Sequence, residues 1–151
     1  MRNKQKGFSL IELLIVVAII LIIAAIAIPN LLRSKMSANE ASAVGSLRTM
    51  NTASVAYNTT YGNYPGGLPS LGPSTTPSST AADLIDSALA SGTKSGYQFT
   101  YSAAAPYQQY SITAGPITGG VTGQRYFYTD QSGVIRVNLS TTAASTDNPL
   151  S

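Results

Sequence analysis

A run of apolar residues from Phe8 to Ile28, holding one acid at Glu12 and stopped by Pro29, limits what this chain can become. As a helix the run is about 32 Å long at ~1.5 Å per residue, against a bilayer hydrocarbon core of ~30 Å. Arg2, Lys4 and Lys6 precede it. A carboxylate at bilayer depth costs roughly 2.5–3.5 kcal/mol on insertion scales. Glu12 therefore calls for a partner in the working state of the protein.

Charge accounting sharpens the point. The formal charge of +3 comes from nine basic and six acidic side chains. Three of the basic residues lie in the leader before Gly7. The other six (Arg33, Lys35, Arg48, Lys94, Arg125 and Arg136) balance Glu12, Glu40, Asp83, Asp86, Asp130 and Asp147. The basic character belongs to the leader, so it gives no support to a nucleic-acid surface. The chain has no cysteine and no histidine. That removes disulfides, thiolate chemistry, the commonest metal ligand and the usual general base. No phosphate loop or pair of catalytic carboxylates appears, so neither an enzyme nor a cofactor is expected.

The N-terminal segment has three readings. A secretory signal peptide would use Ala25-Ile26-Ala27 as its small-x-small triplet, but Pro29 lies two residues past that cut and Glu12 interrupts the core. The product would be a secreted binding module. A plain transmembrane anchor, oriented by the positive-inside rule, explains the length and leaves Glu12 unexplained.

The third reading is a resemblance. Gly7-Phe8-Ser9-Leu10-Ile11-Glu12, running through Leu13–Ile20 and then Ala24–Pro29, resembles the start of a type IV prepilin. The likeness is close from Lys6 to about Leu32 and looser through Asn39–Arg48. It implies cleavage between Gly7 and Phe8 by a membrane peptidase on the cytoplasmic side, and N-methylation of the new amine on Phe8. It also implies that Glu12 pairs with that ammonium on a neighbouring subunit. Glu12 lies one helical turn from Phe8, so an internal pair is also open. A buried pair with one member missing costs roughly 3–5 kcal/mol, which would make Glu12 a register device during assembly. Phe8, Glu12 and Pro29 are the expected assembly residues. Many members of the family carry a glycine where this chain has Leu21, so any stretch of helix that melts near Pro29 is expected to be shorter here.

The resemblance implies an α+β type IV pilin fold: a long N-terminal helix on a small antiparallel sheet of about four strands. The expected divisions are a leader over 1–7, a membrane and filament-core helix over 8–28, and an amphipathic second half over 29–60. A loop and short helix over 61–96, a sheet over 97–139 and a loose tail over 140–151 follow. The implied function is that of a structural pilin subunit, with a type II secretion pseudopilin as the alternative. Its partners would be copies of itself, the peptidase and N-methyltransferase, the inner-membrane assembly machinery and the membrane before assembly. It would begin as a single-pass inner-membrane precursor and end in a surface filament.

The residues beyond the anchor give their own reading. Met36, Ala43, Met50 and Tyr57 recur every seven positions, with Leu47 and Tyr61 beside them, as on one helix face. Ser34, Asn39, Ser42, Ser46, Thr49, Asn51 and Thr52 form the opposite, polar face. Arg33, Lys35, Glu40 and Arg48 read as solvated or inter-subunit charges. Gly62, Pro65, Gly66 and Gly67 end the helix. Thr80 is the expected N-cap of a short helix, with Asp83 three residues on, Leu84, Ile85, Ala88 and Leu89 inward, and Gly92 at its end. Strands are expected at Tyr97–Tyr101, Tyr110–Ala114, Arg125–Thr129 and Ile135–Leu139, with a tight turn at Asp130–Gly133. The likeness to type II secretion pseudopilins, whose acidic residues near the end ligate calcium, makes a thin case for Asp130 and Asp147 as ligands; Asp130 reads better as a turn residue. The nine tyrosines alternate in the strands as core and surface residues.

Overall fold

The computed structural model describes residues 7–140 and 142–150; Arg2, Lys4 and Lys6 of the leader lie outside them. Helix α1 covers Leu10–Tyr61 and contains Pro29 without a break. The chain divides into two compact units between Ser34 and Lys35.

In the first unit the helix is apolar on every side, and its large side chains from Phe8 to Leu32 are exposed. A helix that is hydrophobic all round belongs in a membrane or in the interior of a larger assembly. Pro29 removes one donor, the one that would reach the Ala25 carbonyl. The helix tolerates that loss here.

In the second unit α1 buries a stripe made of Glu40, Ala43, Val44, Ser46, Leu47, Met50, Ala53, Ser54 and Tyr57. The spacing of three and four residues is that of one helical face. This stripe packs on a five-stranded antiparallel sheet in the order β1 (Thr93–Lys94), β2 (Tyr97–Ala103), β3 (Tyr110–Pro116), β4 (Tyr126–Asp130), β5 (Arg136–Asn138). Alternation puts Tyr97 and Phe99 of β2, Tyr110, Ile112 and Ala114 of β3, and Phe127 of β4 into the same core. The register pairs Phe99 with Ala114 and Ala114 with Phe127, so a small residue lies between two rings. A polar seam crosses this interface. Asn51 Nδ2 donates to Thr129 Oγ1 at 2.8 Å, and Tyr110 OH donates to Asn51 Oδ1 at 3.0 Å.

The four expected strands are present, and a short edge strand, β1, joins them. The short helix differs from expectation. It is α2, Ser87–Ala90, and its N-cap is Asp86, whose side chain accepts from the Leu89 amide at 2.8 Å. Thr80 does not cap it. The amides of Ala82, Asp83, Leu84 and Ile85 instead donate to the carbonyls of Ser70, Gly72 and Leu71, next to the 3-10 turn Leu68–Leu71. With those donors taken, a helix cannot start there. Asp83 lies in the left-handed region at φ 55, and Leu84 and Ala88 point outward.

The segment after β5 was expected to be loose, but its described residues tie back to that strand. Val137 N donates to Asn148 O, Leu150 N to Ile135 O, and Arg136 Nη1 to Asp147 O. Asp147 takes Asn138 Nδ2 on one oxygen and the Ala144 amide on the other. Asp130 accepts from Ser132 N, the turn role assigned to it.

Glu40 is a second correction. It is 7% exposed, not a solvated charge. One carboxylate oxygen accepts from the Gln124 and Arg125 amides at 2.8 and 3.2 Å, and the other from Arg125 Nε at 2.7 Å. The Arg125 guanidinium also lies 5.6 Å from the centroid of the Phe127 ring. Nearby, Asn39 Nδ2 donates to Thr122 O at 2.8 Å, so two consecutive helix residues hold the loop between β3 and β4. Burial pushes the Glu40 carboxyl upward, but the hydrogen bonds from Gln124 and Arg125 outweigh it and hold the group below the ordinary glutamate value. A depressed folded value means that the stabilisation is present above the unfolded value and is lost as pH falls through the folded one.

Four outcomes follow for the full-length protein in detergent micelles. Leu47→Ala, at a fully buried position, should destabilise the fold by ~2–5 kcal/mol in denaturant melts that report on tyrosine fluorescence. Glu40→Ala should cost ~1–3 kcal/mol, because two backbone amides lose their acceptor. Wild-type stability should fall as pH drops below about 4. A Glu40→Gln variant should show a shallower acid decline than wild type.

Candidate processing and assembly site

Of the expected cleavage and assembly residues, Gly7, Phe8 and Glu12 lie at or just before the start of α1, in the first unit. Gly7, Phe8 and Ser9 are non-helical, and the helix begins at Leu10. Phe8 is 86% exposed. A Cβ added at Gly7 would meet nothing within 4 Å. Among the described residues, no contact requires glycine there.

Ser9 is the N-cap. Its carbonyl accepts the first helical bond, from Leu13 N at 3.2 Å. Its hydroxyl oxygen accepts from Ile11 N at 3.4 Å, while Glu12 Oε2 accepts from Ser9 N at 2.9 Å. The two side chains serve each other's amides, which is the reciprocal arrangement of a capping box. Glu12 also lies in the first turn, where the partial positive charge of the helix N-terminus favours an anion.

The structure therefore brings Glu12 together with Ser9, which sequence reasoning left without a role. The signal was available: a serine followed three residues later by a glutamate, just before an apolar run. A backbone amide already satisfies one oxygen of the acid before any ammonium exists. Pro29, the third expected assembly residue, lies inside the continuous helix, and Ser34 Oγ donates to the Asn30 carbonyl one turn beyond it, at 3.0 Å. No group of three or more metal-ligating side chains occurs among the described residues.

Residues 2–28 match the model of the prokaryotic N-terminal methylation motif. The chain is 65% identical over 40 residues to the type IV wide pilus major component of Thermus thermophilus, a stretch covering 26% of this chain and 30% of that one. It is 44% identical over 54 residues to the type IV major pilin of Myxococcus xanthus, covering 36% and 24%. It is 33% identical over 63 residues to type II secretion system core protein G of Escherichia coli, covering 42% and 43%. The chain thus spans less than half the length of each of these relatives. An exposed apolar helix, opened by a capped glutamate and followed by a helix-on-sheet unit, is the context in which that motif has meaning. Over its N-terminal part the chain is thus similar both to type IV pilins and to a type II secretion core protein, and it carries the N-terminal methylation motif.

Proposed function

We propose that this chain is a structural pilin subunit, held in the inner membrane as a single-span precursor. It is cut between Gly7 and Phe8 by a prepilin peptidase, N-methylated at Phe8, and polymerised through its N-terminal helices into a surface filament. The observation that carries this reading is the run of exposed large apolar residues from Phe8 to Leu32. A soluble monomer rarely exposes a contiguous apolar patch beyond a few hundred Å². Lipid covers this surface before assembly, and neighbouring helices cover it afterwards.

Cleavage exchanges one set of charges for another. It discards Arg2, Lys4 and Lys6 and creates an ammonium on Phe8. Glu12 then has a cation to meet. One of its oxygens serves the Ser9 amide, which leaves the other available to the amine of a neighbour. A subunit out of axial register would strand a charge in an apolar interior, and that cost selects the register. The role is structural, without catalysis.

The likeness to core protein G favours a pseudopilin as the second reading, since it extends along more of this chain than the pilin matches do. Imaging of surface fibres after deletion of the gene separates the two: a pilin deletion should remove long fibres at normal expression, and a pseudopilin deletion should not.

Intact mass and N-terminal sequencing of the mature protein should give an N-methylated Phe8. A chain starting at Ile28 would sink the proposal, because the assembly helix would be gone. Glu12→Ala should be cleaved normally while filament yield, measured in sheared fractions, falls at least tenfold. Normal filaments from that variant would refute the register argument.

A further inference from the structure

In a continuous helix each amide reaches the carbonyl four residues back. For Ile11 that acceptor would be the carbonyl of Gly7, which is the carbonyl of the bond proposed for cleavage. The structure gives the Ile11 amide a different acceptor, Ser9 Oγ at 3.4 Å, and the helix starts at Leu10. The Ser9 amide is in turn held by Glu12 Oε2 at 2.9 Å, which closes the cap from the other side.

We propose that Ser9 is a positioning residue for processing: its hydroxyl occupies the Ile11 amide and so keeps the Gly7 carbonyl out of the helix and available to the peptidase. This rests on the reading that the Gly7–Phe8 bond is the one cut. Hydrolysis adds the hydroxyl of water to the Gly7 carbonyl carbon, breaks the C–N bond, and places the proton of water on the departing Phe8 amine. A carbonyl engaged as a helical acceptor is both less accessible and fixed in the wrong backbone conformation for extended binding.

The alternative helix start is specific. Serine outranks glycine as an N-cap, and glycine far outranks alanine. With Ser9 intact the helix is capped there. With alanine at that position the next acceptable cap upstream is Gly7, and moving the start to it draws Phe8 into the first turn. The Gly7 carbonyl would then accept from the Ile11 amide. The two residues flanking the bond would change from non-helical to helical backbone, although neither has been altered.

Glu12 has a lesser part in this step. Removing its carboxylate frees the Ser9 amide but leaves Ser9 Oγ on the Ile11 amide. The two halves of the cap thus divide the labour, with the hydroxyl guarding the cut and the carboxylate reserved for assembly.

The test uses the full-length precursor in detergent micelles with a membrane preparation containing a prepilin peptidase. Wild type, Ser9→Ala, Ser9→Thr and Glu12→Ala are compared. Ser9→Ala should lower the specificity constant for cleavage by about three- to thirtyfold, the range expected for loss of an N-cap. Ser9→Thr, which restores a hydroxyl acceptor, should recover most of the rate, and Glu12→Ala should cut near the wild-type rate. As a readout independent of rate, the carbonyl carbon shift of Gly7 by NMR should move to the helical range in Ser9→Ala and stay outside it in Ser9→Thr. Equal cleavage of Ser9→Ala and wild type would overturn the inference. So would slow cleavage of Ser9→Ala with the Gly7 carbonyl shift still outside the helical range, or failure of threonine to rescue. If wild type itself is not cut at Gly7–Phe8, the functional reading falls with it. If wild type is cut and the variants behave alike, this inference alone falls.

Discussion

An apolar helix with no protein covering it is the constraint on which the rest of the molecule depends. From Phe8 to Leu32 the large side chains are exposed, and at ~25 cal/mol per Å² that much apolar surface cannot be left in water. Such a surface calls for an apolar covering, as lipid or other helices supply. Glu12 sits at its third position, where it would be costly without help. The capping box with Ser9 supplies that help locally, by satisfying one carboxylate oxygen within the same chain. A charge that looked unaffordable in the anchor is accommodated because it lies at the helix end, where amides are unpaired and the dipole is favourable.

The second unit solves a different problem with the same helix. Its core is small, and Ala43, Leu47, Met50 and Ala53 supply one wall while β2, β3 and β4 supply the other. Glu40 of the buried stripe and Asn51 beside it are matched to partners distant in sequence. Glu40 accepts from the loop before β4, and Asn51 is bonded to Thr129 and Tyr110. These bonds give the helix one rotational setting on the sheet, because turning it would leave buried donors and acceptors unmatched. The tail does the same service for the sheet edge, where Val137 N donates to Asn148 O and Leu150 N to Ile135 O beside β5.

Much of this was legible from residues alone. The seven-residue recurrence of Ala43, Met50 and Tyr57 marked the buried face, and period-two alternation marked β2 through β4. Met36 was placed on the same face but is only partly buried. The face is also wider than the apolar pattern implied, since Glu40, Ser46 and Ser54 belong to it. Hydrophobic periodicity cannot register a polar side chain whose partner lies elsewhere in the chain. Leu139 fails in the opposite direction: it continues the alternation of β5 but stands 74% exposed, past the end of the strand.

The sequence by itself determined the membrane-length helix, the glycine–phenylalanine junction, the glutamate that follows, and an α+β body with strands in their observed order. These depend on local spacing, which a linear pattern records completely. Only the tertiary structure decided that Glu40 is a buried clamp on Arg125, that Asp86 and not Thr80 caps the short helix, and that the tail closes the sheet edge. Each of those depends on whether an amide or a charge meets a group tens of residues away, and burial sets the worth of that meeting. Ser9 stands between the two cases. Its spacing to Glu12 was in the sequence, yet its consequence became visible only when the Ile11 amide was seen on the serine hydroxyl.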